Sequence, residues 1–259
     1  MKTDVICDTN IWYNLGNGHL GPSKLTDYSL VATFYNFEEL ITTPNIFGNF
    51  QQVRGATQAI VNHSSKQILE NAFLYMARTI NPHFEDKRYS YNLGIRNWAE
   101  IRRMAALDNS FQLTPELIAE YRKNIQSRVG QGETVASIEN QFVSRVKAHS
   151  KKLWKESQKK YFKKRLEGLI FELNDYLTMF SDGQVALHNR SLKNFELFLT
   201  AFLQLSINTE IAKWIVQPND TYDLYNLIYV KPGDKYFTKE KRWINLITEA
   251  GLADYLLVI

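Results

Sequence analysis

The 259 residues contain a single cysteine, Cys7. A disulfide within the chain is therefore excluded, and the pattern suits a reducing compartment such as the cytosol. Cys7 lies inside a short apolar run and reads as a small buried side chain rather than a nucleophile. Glycine (12) and proline (6) are scarce, which argues against long flexible linkers. No apolar run approaches the about 20 residues needed to cross a bilayer. Asp4 and Asp8 flank an N-terminal run too short for a signal peptide. The expectation is a cytoplasmic protein with no membrane segment. The histidines (His19, His63, His83, His149 and His188) are scattered, with no pair at metal-ligand spacing. Gly-rich phosphate loops of the Walker and dinucleotide types are missing as well. The remaining composition, 44% hydrophobic and 22% charged, is that of a globular protein with a sizeable core. The length allows one large domain or two small ones.

What is present is concentrated at the two ends. The chain opens with Val5-Ile6-Cys7-Asp8-Thr9-Asn10-Ile11-Trp12, an apolar run that ends on an acid. One reading is a strand-to-helix turn with Asp8 or Thr9 as N-cap. The other is a buried strand delivering a carboxylate at the carboxyl edge of an open α/β sheet, where ligands collect. A second strand, Leu30-Val31-Ala32-Thr33, is followed by Phe37-Glu38-Glu39-Leu40. Near the other end, Asn219 or Asp220 caps a predicted helix carrying Asp223, with Leu224, Leu227 and Ile228 as its apolar stripe. Asp220 and Asp223 are three apart, so both can lie on one face. A short strand at Tyr236-Phe237 then runs into Thr238-Lys239-Glu240, repeating the strand-turn-acid logic of Asp8.

These four elements resemble the PIN-domain family of metal-dependent nucleases. Asp8-Thr9-Asn10 matches the family's first acid. Glu39, directly before Leu40 and six residues after Thr33, matches the second, with Glu38 as the fallback. Asp223 fits the third, with Asp220 close enough to share or replace it. Thr238-Lys239-Glu240 matches the Thr-x-Asp turn, with Glu where Asp is usual. The resemblance covers residues 1–50 and 210–259. It implies a small parallel sheet flanked by helices, an α/β core built from both chain ends. It also implies a phosphodiesterase site in which Asp8, Glu39 and Asp223 bind Mg²⁺ or Mn²⁺ and Glu240 acts directly or through water. Asn10, Thr238 and Asp220 would orient the carboxylates or water. Hard oxygen ligands suit those cations, and clustered carboxylates without a cation would repel a phosphate. The family's substrates imply RNA in preference to DNA. Its toxin–antitoxin members imply an inhibitory protein as a further partner, although the long middle is unlike a small toxin. A nucleic-acid-binding scaffold without activity, or a structure-specific DNA nuclease, is the alternative.

The middle, residues 51–209, reads as a helical insertion. Ala59, Ile60, Val61, Ile68, Leu69, Ala72, Phe73 and Met76 suggest one helix ending near Asn81-Pro82. Ile95, Trp98, Ile101, Arg102 and Ala105 suggest another. Thr114-Pro115 is a helix start, a long helix begins near Glu133, Ser181-Asp182-Gly183 is a turn, and Leu192 to Leu205 form a strongly apolar helix. Between Arg145 and Arg165 stand ten basic residues and one acid, Glu156, a local charge of +9 against +4 for the whole chain. Within this basic helix (about 133–180), Lys147, Lys151, Lys155, Lys159 and Lys163 recur at steps of four and would make one ridge. That ridge is either a solvated face or a track for a phosphate backbone. The interrupted apolar side (Val146, Leu153, Trp154, Tyr161 and Phe162) gives no wide face for a membrane surface.

Overall fold

The computed structural model describes residues 2–86, 90–128, 130, 137, 158–187, 192–210 and 214–259. Four parallel strands form its sheet: β1 (Thr3–Cys7), β2 (Tyr28–Thr33), β3 (Lys66–Ile68) and β4 (Lys235–Phe237), in the order β3-β2-β1-β4. The strand side chains alternate between two cores, as a period of two requires. Val5, Cys7, Leu30, Ala32 and Phe237 enter one core, and Ile6, Val31 and Tyr236 enter the other. Burial on both faces explains why β1 and β2 read as unbroken apolar runs.

On the first face lie α1 (Thr9–Gly16), α2 (Phe34–Thr42), the short α3 (Asn45–Gly48), α4 (Phe50–His63), α6 (Ser90–Ala106) and α7 (115–128). Helices α1 and α4 cross at Gly16 and Gly55, where a Cβ on Gly16 would come within 2.2 Å of the Gly55 carbonyl. This close approach sets the position of α1, and with it the turn that carries Asp8. On the other face lie α5 (Ala72–Ile80), α8 (Gln158–Phe180), α9 (Glu196–Glu210), α10 (Asp220–Asn226) and α11 (Lys241–Glu249). Leu169, Leu173 and Leu177 of α8 and Phe198 of α9 join Ile6, Val31 and Trp243 there.

The fold is thus α/β with helices on both faces of an all-parallel sheet. One expectation changes. The segment read as one helix from Ala59 to Met76 is two helices with β3 between them: Ser64 closes α4, and the Ser65 N–H donates to the Leu30 carbonyl, bringing the chain alongside β2. A strand of three residues is too short for alternation to stand out against the helices flanking it. From the middle of the chain, α4, β3, α5 and α9 pack into the sheet's cores. Thr114 caps α7 as expected, accepting from the Leu117 N–H, and the turn at Ser181-Asp182-Gly183 is present.

Candidate active site

Cys7 of β1 is in register with Phe237 of β4. The next residues, Asp8 and Thr238, therefore leave the carboxyl edge of the sheet side by side. The chain reaches β2 on one side of β1 and β4 on the other, so this is where the strand order reverses, the position at which open α/β sheets form a crevice. Asp8 is 3% exposed and occupies the N-cap position of α1, yet its side chain makes no capping bond. Instead Oδ2 accepts from the Thr238 hydroxyl at 2.6 Å and from the Asn10 amide at 2.5 Å. The Thr238 oxygen in turn accepts from Asn10 Nδ2 (3.2 Å) and from the Glu240 N–H (3.1 Å). A hydroxyl has one proton and two lone pairs, so with both lone pairs taken the Thr238 proton points at Asp8.

The turn after β4 is locked to α1 by the i, i+4 pair Asn10 and Asn14. Asn10 Oδ1 accepts from the Lys239 N–H, and Asn14 Oδ1 from the Lys239 ammonium. Beneath this surface a buried polar network joins the strand ends. Asn36 Nδ2 donates to Thr9 Oγ1 (3.1 Å), and Asn36 Oδ1 accepts from Trp12 Nε1 (3.3 Å) and from the Thr33 N–H (2.8 Å). Thr33 Oγ1 donates to Asn226 Oδ1 (2.6 Å). The α1, α2 and α10 segments are thus fixed relative to one another, and each carries one of the expected acids. Buried polar groups satisfied in this way rigidify a unique arrangement.

Glu39 lies in the second turn of α2, half-buried, Asp223 lies in α10, and Glu240 is exposed at the cap of α11. Asp223 Oδ2 accepts from Trp243 Nε1 at 3.0 Å, which satisfies the indole of a fully buried tryptophan. The carboxylates act on one another. Burial first, and then the charges of Glu39 and Glu240, push Asp8 up to about 7 against the pull of the Thr238 hydrogen bond. Asp223 is held well above the usual carboxylate range by burial and by Asp8, Glu39 and Glu240. Burial and the charges of Glu39 and Asp220 raise Glu240. The four acids expected from sequence therefore share one electrostatic neighbourhood. They do not form a closed ligand shell: among the described residues, no group of three or more His, Cys, Asp or Glu is set to hold a metal ion. Charge acts over longer distances than a coordination bond, which is why both statements hold.

Asp220 is bound into the structure. Its Oδ1 faces Arg242 Nη1 at 3.0 Å, and its Oδ2 accepts from Trp214 Nε1 (3.0 Å) and the Gln217 N–H (2.7 Å). Arg242 also stacks on the Trp214 ring at 3.8 Å. With both oxygens occupied, Asp220 anchors the approach to α10; its charge reaches Glu240, whereas Asp223 acts with Asp8, Glu39 and Glu240. Of the predicted lysine ridge, Lys147, Lys151 and Lys155 and the side chain of Lys159 lie outside the described residues. Lys163 is exposed on α8. Phe162 packs against the core, and Arg165 pairs with the buried Glu210 at 3.0 Å.

Several contributors have no sequence motif of their own. Trp243 and Asn226 come from apolar or polar runs that could have packed in many ways. Tyr236, in β4, carries a buried hydroxyl without a hydrogen-bond partner among the described residues and feels the field of Asp8 and Asp223. Arg128 of α7 donates Nη1 to Thr42 Oγ1 at 2.9 Å, within reach of a small cavity that Glu39 also lines. No helix of the described residues is long and apolar enough to cross a membrane. Comparison with protein-family models, with curated proteins and with solved structures gives no match to this chain.

Proposed function

We propose that the chain is a divalent-metal-dependent nuclease, hydrolysing phosphodiester bonds of RNA in preference to DNA, on a PIN-like core. The observation that carries this reading is the Asp8 carboxylate. It stands at the carboxyl end of β1, at the N-cap of α1 without a capping bond, held by Thr238 and Asn10, and raised to about 7 by burial and by two other acids. Concentrating four carboxylates against one another is costly unless something positive joins them. The donor set is all oxygen, which fits Mg²⁺ or Mn²⁺. Asp8, Glu39 and Asp223 would hold such an ion. When bound, it would neutralise charge on the phosphate and favour ionisation of a water.

The chain's own residues supply the orientation. Thr238 and Asn10 keep Oδ2 of Asp8 fixed, Trp243 fixes Oδ2 of Asp223, and the Asn36 network fixes the helices beneath. Glu240, outermost of the acids, takes the proton from the attacking water. A second reading, binding of nucleic acid without cleavage, is favoured by one observation: the described acids are not already gathered into a ligand shell.

The test is cleavage of labelled RNA and DNA with Mg²⁺, with Mn²⁺ and with chelator, comparing the parent protein with Asp8→Asn. Cleavage that needs the cation and disappears in Asp8→Asn supports the nuclease. Cleavage that survives chelation, or is unchanged in the variant, rules it out. Binding without cleavage under every condition selects the second reading.

A further inference from the structure

Helix α7 presents Tyr121, Ile125 and Arg128 at spacings of four and three, one inward stripe along the helix. The first two are buried in the core shared with β1 and α4. Tyr121 is also anchored chemically: its hydroxyl donates to Glu100 Oε1 at 2.5 Å and accepts from Arg103 Nη2 at 3.0 Å, both on α6. The end of the stripe is therefore held in place, and what it holds there is a cation.

The Arg128 guanidinium spans two elements of the acidic site. Nη1 donates to Thr42 at the end of α2, and the guanidinium carbon lies 4.4 Å from the centre of the Tyr222 ring on α10. Its Nε is fully shielded and meets no acceptor among the described residues. The side chain is half-buried and already lies in the field of Glu38, so the shielded Nε is the donor that remains for an anion. Two spaces meet at this side chain. One, of about 90 Å³, is lined by Glu39, Thr43, Asn219 and Tyr222. The other, of about 540 Å³, is lined by Arg96, Asn97, Asn124 and three acids, Glu38, Glu100 and Glu120, of which Glu100 is bonded to Arg103 and Tyr121, and Arg128 and Thr42 border both. The larger space is in the size range of small-ligand pockets, so it suits one nucleotide rather than a duplex.

We propose that Arg128 is a phosphate clamp: its guanidinium grips a phosphodiester of a single-stranded nucleic acid beside Glu39, while the neighbouring nucleotide occupies the 540 Å³ cavity. The clamp presupposes the nucleic-acid substrate proposed above. A planar guanidinium presents paired N–H donors that match phosphate oxygens, which an ammonium does not. Stacking on Tyr222 holds the plane, and Thr42 fixes its rotation. The clamp supplies positive charge at the place where the acids would repel the strand.

The test is equilibrium binding of a short labelled single-stranded RNA, and of the same sequence as DNA, to the full chain in chelator over a range of salt. Arg128→Met should weaken binding about tenfold or more and reduce the salt slope by about one, the signature of one lost phosphate contact. Arg128→Lys should keep the slope and recover only part of the affinity. Thermal melting verifies that each variant is folded, and Thr42→Val, which frees the guanidinium without removing it, gives an intermediate loss if Arg128→Met does not fold. Equal losses on RNA and DNA indicate a shared phosphate contact, and a larger loss on one identifies the strand the clamp serves. Parental affinity and slope in Arg128→Met, or in Thr42→Val where that variant stands in, overturn the clamp, as does a parent that binds neither strand. The nuclease reading fails separately: Arg128-dependent binding with no cleavage under any metal leaves the clamp standing, and metal-dependent cleavage with binding indifferent to Arg128 leaves the nuclease standing.

Discussion

Asp8 and Asp220 are almost equally hidden, 3% and 2% exposed, and sit in opposite surroundings. Asp220 receives a guanidinium, an indole N–H and a backbone N–H, the usual terms on which a protein buries a charge. Asp8 receives a hydroxyl and an amide on one oxygen and faces the charges of Glu39 and Glu240. Burial alone does not separate a structural carboxylate from a functional one. What separates them is whether the charge is neutralised by the fold. Around Asp220 the fold completes the ion pair, and around Asp8 it gathers further acids.

The contrast is broken most strongly by exchanging the acids of α10. Asp223→Asn should abolish cation-dependent cleavage without lowering the melting temperature, since its carboxyl too is raised by burial and by neighbouring acids. Asp220→Ala should act the other way, costing about 3 kcal/mol of stability by stranding Arg242 and two N–H donors. Urea unfolding and the cleavage assay, run on both variants, check this crossing. If Asp220→Ala unfolds no more easily than the parent, the distinction drawn between the two acids is wrong.

The next effect concerns pH. The native Asp8 carboxyl titrates at about 7, well above its ordinary 3.8. Between these values the folded chain keeps a proton that the unfolded chain has released, so stability from this group is present below about pH 4 and is lost as pH rises through 7. Asp8→Asn removes the titration. Its melting temperature should exceed the parent's by on the order of 5 °C at pH 8 and match it at pH 4. A variant that is less stable than the parent at pH 8 would show that the Asp8 charge is compensated after all. The smallest change is Thr238→Val, which removes the hydroxyl that orients Asp8. Cleavage should fall about tenfold with the fold intact, as is usual for groups that orient a ligand.

Legibility in the sequence followed the range of the interactions. Asp8, Glu39 and the Thr238 turn were readable because each sits at the end of a local pattern, an apolar strand followed by a polar turn. β4 was readable from two aromatic residues between turns. β3 was not, since Lys66–Ile68 owes its strand geometry to pairing with β2 rather than to its own pattern. Asp220 and Asp223 share a helix face, so spacing could not choose between them. What tells them apart in the fold is their partners, Trp214 and Arg242 for Asp220 and Trp243 for Asp223, which come from chain segments folded back onto α10. Arg128 was invisible for the same reason: it is one arginine among many until α7 lays it against Thr42 and Tyr222.

The acids around Asp8 are proposed to form a cation site. Titration of Mn²⁺ into the full chain, followed by calorimetry or by the spectrum of free Mn²⁺, measures this without reference to any substrate. The expected result is saturable binding by the parent protein, lost in Asp8→Asn and in Asp223→Asn and kept in a folded conservative variant of Asp220 such as Asp220→Asn. Parent protein that does not bind Mn²⁺, or binds it equally well after Asp8→Asn, would contradict it.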